Sequence, residues 1–191
     1  MNDISNKNNM PQNANNVPMS HNIVLCGIKH CGKTTVGKAL AAALNVPFVD
    51  TDDLIVEKDG STRTVREIFR TEGEEYFRKM EAGILEELAA SSQKQVIALG
   101  GGAFSNVFVT DRVKQELGFT VWLDVNDRIA YERIKAEGLP PFLQNCEDPE
   151  RAFAEMNVAR KEVFGKWCDF RCIPGATPQD TALRILQQCS R

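Results

Sequence analysis

From Asn22 onward, short and almost continuously apolar runs alternate with longer stretches in which apolar residues recur at helical spacing. The short runs fall at 23–26, 48–50, 96–99, 120–125 and 170–173, and their lack of polar alternation predicts strands covered by helices on both faces. Between Tyr76 and Leu88 the apolar positions are 77, 80, 84, 85 and 88, one face of a helix. Another helix is predicted over 36–44, and further helix starts are marked by capping chemistry. Thr64-Val-Arg-Glu67 and Thr71-Glu-Gly-Glu74 match the capping box. Asp148-Pro149 and Thr177-Pro178 place a capping side chain ahead of a proline at the first helical position. Strands alternating with helices make βαβ units and therefore a parallel sheet. No internal repeat or linker interrupts the pattern, so 21–191 is expected to be one α/β domain.

Residues 1–20 depart from this pattern. They hold seven asparagines and two prolines with almost nothing apolar, a composition that predicts a disordered leader. Across the 191 residues, 42% are apolar, enough for a core, and the net charge of −3 excludes a bulk electrostatic grip on nucleic acid or an anionic membrane. No apolar run reaches the roughly 18–20 residues of a membrane span. The N-terminus lacks a basic start followed by an apolar stretch, so no secretory signal is read there and a cytoplasmic location is expected. Six cysteines show no C-x-x-C pair, and His21 and His30 lie far from Cys168 and Cys172 in the chain. Reduced thiols are expected rather than disulfides or a zinc site.

Gly27-Ile28-Lys29-His30-Cys31-Gly32-Lys33-Thr34 carries the strongest chemistry, the G-x-x-x-x-G-K-[ST] pattern between a predicted strand and a predicted helix. The glycines Gly27 and Gly32 let backbone N–H groups converge on phosphate oxygens at a helix N-terminus. Lys33 is placed to reach the β- and γ-phosphates, the Thr34 hydroxyl to bind Mg²⁺, and Thr35 follows as a further nucleotide contact. Cys31 is read as a small loop residue. Such loops also serve GTPases, motors and switches, but no guanine-reading N-K-x-D is present, and the acceptor must be read elsewhere. Asp50 and Asp52 stand two residues apart at a strand end, where open α/β sheets hold ligands. Asp52 or Asp53 also suits capping of the helix that follows. Arg78 stands three residues before Glu81, which suits either a ligand clamp or a surface pair, and Gly100-Gly101-Gly102 lets a ligand approach backbone closely.

Together, in order and spacing from about 22 to about 188, these elements resemble the shikimate kinase family: the phosphate loop, Asp50-Thr-Asp52, Gly60-Ser-Thr-Arg-Thr-Val-Arg-Glu-Ile-Phe69 (one residue longer than usual), Phe77-Arg78-Lys-Met-Glu81 and Gly100-Gly101-Gly102. The resemblance implies a five-stranded parallel sheet in the order 2-3-1-4-5, an acceptor-binding insertion over about 51–90 and a lid over about 136–150. It implies that Asp50 orients Mg²⁺ through water, and that Asp52 binds the acceptor hydroxyl and takes its proton. Arg78, held by Glu81, and the glycine triplet would take the acceptor carboxylate. Arg160, in Ala159-Arg160-Lys161-Glu162-Val163-Phe164, would join them where the family has R-x-P-x-Y. Arg133 and the 175–178 turn would hold adenine. The expected activity is transfer of the ATP γ-phosphoryl to a hydroxyl of shikimate by a monomer. A kinase for another hydroxy acid, such as a sugar acid, and a nucleotide-binding regulator without turnover are the alternatives. The lid departs from the family's R-P-L-L: Pro140 stands where the arginine would be, in Leu139-Pro140-Pro141-Phe142-Leu143. Either Lys135 or Arg151 is then expected to swing in, or shikimate to be a poor acceptor.

Overall fold

The computed structural model describes residues 21–189, so the leader expected over 1–20 lies outside the described residues. Five short strands, β1 (Ile23–Cys26), β2 (Phe48–Asp50), β3 (Val96–Ala98), β4 (Phe119–Leu123) and β5 (Phe170–Cys172), form one parallel sheet in the order β2-β3-β1-β4-β5. Ile23 is in register with both Val96 and Phe119, which makes β1 the central strand. Burial follows position in the sheet. Every residue of β1 and β3 is buried, whereas the edge strands β2 and β5 are partly solvated, so two-faced covering holds only for the middle of the sheet.

The helices are α1 (Lys33–Leu44), α2 (Thr51–Asp59), α3 (Val65–Glu72), α4 (Glu74–Ala90), α5 (Asp111–Glu116), α6 (Asp127–Glu137), α7 (Pro141–Gln144), α8 (Pro149–Trp167) and α9 (Pro178–Cys189). Leu25, Ile97 and Leu123 from the sheet meet Leu40, Leu85 and Phe153 from the helices in one core. Thr64 and Glu67 close the reciprocal cap of α3, and Asp148 caps α8 through the Arg151 N–H. Thr177 and Asp180 exchange hydrogen bonds at the start of α9.

The second capping box does not form. Thr71 lies inside α3 with its hydroxyl donating to the Glu67 carbonyl, and the chain breaks at Gly73, whose φ of 87° favours glycine. Three strands also end early, β3 among them, which stops at Ala98 where Leu99 was expected. β4 runs 119–123 instead of 120–125, and β5 stops at Cys172. The partner strands give the reason: the β1 ladder on β4 ends at Cys26 opposite Trp122, and apolar Val125 is buried beyond the sheet.

Three neighbouring strands, β2, β3 and β1, end at Asp50, Ala98 and Cys26, so the phosphate loop, the aspartate pair and the glycine triplet follow on the same side. Parallel pairing places the carboxyl ends together, and the crevice beyond them is where such sheets bind ligands.

Candidate active site

The phosphate loop turns from β1 into α1 through Gly27 (φ 147°) and Gly32 (φ 97°). A β-carbon on Gly27 would stand 2.8 Å from the Leu123 carbonyl oxygen, so only glycine fits. Lys33 arches back over the loop, its Nζ donating to the carbonyls of Gly27 at 3.0 Å and Ile28 at 3.1 Å. Cys31 is buried beneath it, and no disulfide forms among the described residues. Thr35 turns its hydroxyl to the Gly32 carbonyl. Beside the loop lies a cavity of about 500 Å³, lined by Lys29, Lys33, Thr34, Arg133, Gly175 and Pro178 among others. Arg133 donates to the His30 carbonyl at 2.9 Å, so the α6 arginine and the 175–178 turn form the wall where adenine was expected.

Thr34 and Asp50, expected from separate motifs, meet here: the Thr34 hydroxyl donates to Asp50 Oδ2 at 3.0 Å. Two hard oxygen donors at the rim of a phosphate loop suit Mg²⁺, which binds through one or two side chains and keeps its waters. The capping question is resolved in favour of Asp50, whose Oδ1 accepts from the Asp52 N–H at 3.1 Å, leaving the side chains of Asp52 and Asp53 free of that task. Asp52 opens onto the cleft, yet its carboxyl is pushed up to about 6. Crowding away from water is the main cause, followed by the charge of Asp50. Such a group is mostly ionised near neutral pH but close enough to its midpoint to take a proton.

The acceptor side is built on α4, β3 and α8. Gly100, Gly101 and Gly102 form its floor. A β-carbon on Gly100 would stand 2.8 Å from Asp52 Oδ1, on Gly101 3.8 Å from Arg160 Nη1, and on Gly102 3.0 Å from Arg78 Nη1. Three distant segments therefore converge on one backbone turn. Arg78 is held by Glu81 at 3.0 Å. Glu81 is only 2% exposed, which a surface pair would not be. Arg160 is different: half-buried, it makes no hydrogen bond or ion pair with any described residue, and burial together with the like charge of Arg78 holds its pKa below the usual arginine range. Arg78 is paired with Glu81 and, at 3.6 Å, with Glu74, whereas the Arg160 guanidinium stands beside Gly101 without a protein carboxylate among the described residues.

The family model described as shikimate kinase matches residues 29–190. The chain belongs to the shikimate kinase family. The shikimate kinase of Symbiobacterium thermophilum is 39% identical over 170 residues, covering 87% of this chain and 95% of that protein. The one from Thermodesulfovibrio yellowstonii is 36% identical over 172 residues, covering 89% and 95%. Among solved structures, the shikimate kinase from Acinetobacter baumannii in complex with shikimate superposes with a TM-score of 0.77 at 31% identity, over 88% of this chain and 92% of that one. A gluconokinase from Sinorhizobium meliloti, at 18% identity and a TM-score of 0.52, shares the fold.

Within this family frame, three site residues went unread in the sequence. Asn106, 2% exposed, donates to the Arg78 carbonyl at 2.7 Å and to Glu81 Oε2 at 2.9 Å, and accepts from the Phe108 N–H at 2.9 Å. Buried Thr51 accepts from the Gly100 N–H at 2.9 Å, pinning the glycine turn to α2. Lys29 lines the cavity from inside the phosphate loop. The first two act across 28 and 49 residues of sequence, where no spacing rule signals them. Lys135 and Arg151, the expected substitutes for a lid arginine, do not line the cavity, and Arg151 is paired with Glu155 at 2.7 Å. Pro140 is buried with Leu143 between α6 and α8.

Proposed function

We propose that this protein is a phosphotransferase that moves the γ-phosphoryl group of ATP to a hydroxyl of shikimate. The observation that carries the reading is Arg160: a half-buried guanidinium without a protein carboxylate, beside Arg78, aimed at a glycine turn next to a phosphate loop. Planar forks of this kind pair best with a carboxylate on a small ligand. Gly27, Gly32, Lys33, Thr34 and Thr35 hold the triphosphate, Arg133 the adenine, and Thr34 with Asp50 would hold Mg²⁺, which neutralises phosphate charge when bound. Arg78, Arg160 and the backbone of Gly100, Gly101 and Gly102 hold the acceptor carboxylate, which turns a ring hydroxyl toward Asp52.

The acceptor oxygen then attacks the γ-phosphorus. The bond to the β,γ-bridging oxygen breaks, its electron pair leaves with ADP, and the hydroxyl proton passes to the Asp52 carboxylate. Positioning and charge neutralisation supply most of the acceleration. The unit of action proposed is a monomer. Among the described residues no helix is long and apolar enough to cross a membrane, and the small polar substrates fit a cytoplasmic setting.

The test is ADP release by the purified protein with Mg·ATP and shikimate, beside gluconate and other hydroxy acids. Turnover with shikimate at a kcat/KM well above the sugar acids is the expected result. Turnover confined to a sugar acid supports the other acceptor class, and ATP binding with no turnover on any acid refutes the kinase reading.

A further inference from the structure

Phosphoryl transfer needs cations around the migrating group, and the segment connecting α6 to α8 has none to offer. Between Gly138 and Glu150 there is no lysine or arginine, while Glu147, Asp148 and Glu150 are acidic. Of the nearby cations, Arg133 belongs to the adenine wall, Arg151 is paired with Glu155 on an exposed helix turn, and Lys135 lies outside the cavity. Lys29 is placed otherwise. It is the third residue of the phosphate loop, lines the nucleotide cavity with Lys33 and Thr34, and makes no hydrogen bond or ion pair with any described residue.

Four charged groups act on Lys29. Asp52 and Glu137 attract its ammonium, and Arg66 and Lys33 repel it. Asp52 marks the acceptor side and Lys33 the phosphate side. Lys29 is exposed at the cavity mouth, with attraction from Asp52 and Glu137 set against the like charges of Arg66 in α3 and Lys33 in the loop. Partial loss of water and the neighbouring Arg66 lower its pKa, a sign that the ammonium is poorly compensated where it stands. An anion arriving between Lys33 and Asp52 would relieve both effects.

We propose that Lys29 is a second catalytic lysine of this phosphate loop, whose ammonium contacts the γ-phosphoryl oxygens as the group passes to the acceptor beside Asp52. The charge neutralisation that a cation-free lid cannot deliver is thereby built into the loop. The flexible lysine stem lets the ammonium follow the phosphoryl group over its short path. No proton moves at Lys29, and the bonds made and broken are those of the transfer itself. The proposal rests on the kinase reading above, because it assigns a role within that reaction.

The experiment compares Lys29→Met and Lys29→Arg with wild type in Mg·ATP titration, thermal melting and steady-state shikimate phosphorylation. Lys29→Met should lower kcat by about 10²–10³, the range for removing one transition-state donor, with ATP affinity and melting temperature little changed. Lys29→Arg should recover most of the rate, and Lys135→Ala and Arg151→Ala should behave as wild type. A Lys29→Met kcat within about threefold of wild type overturns the proposal. So does a fall in ATP affinity that accounts for the whole loss of rate, since the residue then binds ground state and transition state equally. Absence of shikimate turnover in the wild-type protein is a separate result: it refutes the kinase reading, and this inference with it.

Discussion

Replacing Asn106 with aspartate, Asn106→Asp, changes one NH₂ group for an oxygen of nearly the same size. In the native arrangement that nitrogen donates to the Arg78 carbonyl at 2.7 Å and to Glu81 Oε2 at 2.9 Å, in a place that is 2% exposed. The substitution turns two hydrogen bonds into two contacts between acceptors. A hydrogen bond to a charged group contributes about 1.5–3 kcal/mol and a neutral one about 0.5–1.5, so the loss is about 2–4.5 kcal/mol before any repulsion between carboxylates. The introduced carboxyl escapes part of this by keeping its proton, so its folded pKa rises above its unfolded value. Stability is then best retained at low pH and lost as pH rises through the raised pKa.

Urea unfolding at pH 5 and pH 8 should show a deficit at both, larger at pH 8. Glu81, pushed by a like charge, holds Arg78 less firmly, and the KM for shikimate should rise about tenfold or more, a change equal to about 1.4 kcal/mol. ATP affinity should stay near wild type, because the nucleotide cavity is lined by other residues. A deficit below about 1 kcal/mol, the contribution of a single ordinary hydrogen bond, together with an unchanged acceptor KM, would refute the view that Asn106 organises the arginine clamp.

Other substitutions separate the two halves of the site. Lys33→Ala should abolish turnover in the same phosphorylation assay while leaving the melting curve in place, since among the described residues the Lys33 ammonium hydrogen-bonds to its own loop. Arg160→Met should raise the shikimate KM by about 10–150-fold, the equivalent of one charge-assisted hydrogen bond, without loss of stability in urea, because it removes a crowded like charge. Asp52→Asn should lower kcat by about 10²–10⁴ with ATP binding retained, and a drop in ATP affinity instead would place Asp52 on the nucleotide side. The folded pKa of Asp52 near 6 lies above the unfolded value of 3.8, so its ionisation works against the fold once pH rises through that window. Metal-free Asp52→Asn should therefore match wild type near pH 4 and exceed it at pH 8. Solvent at the cleft keeps that gain to about 1 kcal/mol or less, and an equal or lower stability at pH 8 contradicts the assignment.

Much of this protein was determined within short windows of sequence. The phosphate loop is legible because a backbone that wraps phosphate needs glycine at fixed places and a lysine and hydroxyl at a fixed offset. The strands show as apolar runs, and the caps of α3, α8 and α9 show because a capping side chain acts only three residues away. The roles of Asp50, Asp52, Arg78 and Arg160 came from their order along the chain, which resembles a family, and not from local chemistry. What only the tertiary structure decided is long-range. Whether Arg78–Glu81 is a surface pair or a clamp depended on the burial of Glu81, set by the packing of α4 against its neighbours. That Thr51 pins Gly100 and Asn106 locks Arg78 follows from segments far apart in the chain being brought together by parallel crossovers, a pairing that no periodicity encodes. Thr71 carried the letters of a cap but falls in the last turn of α3, because the chain breaks only at Gly73, two residues later. Lys29 reads in sequence as a variable position of a known loop. Its significance lies in which charges surround it, and charge neighbourhoods are a property of the folded chain.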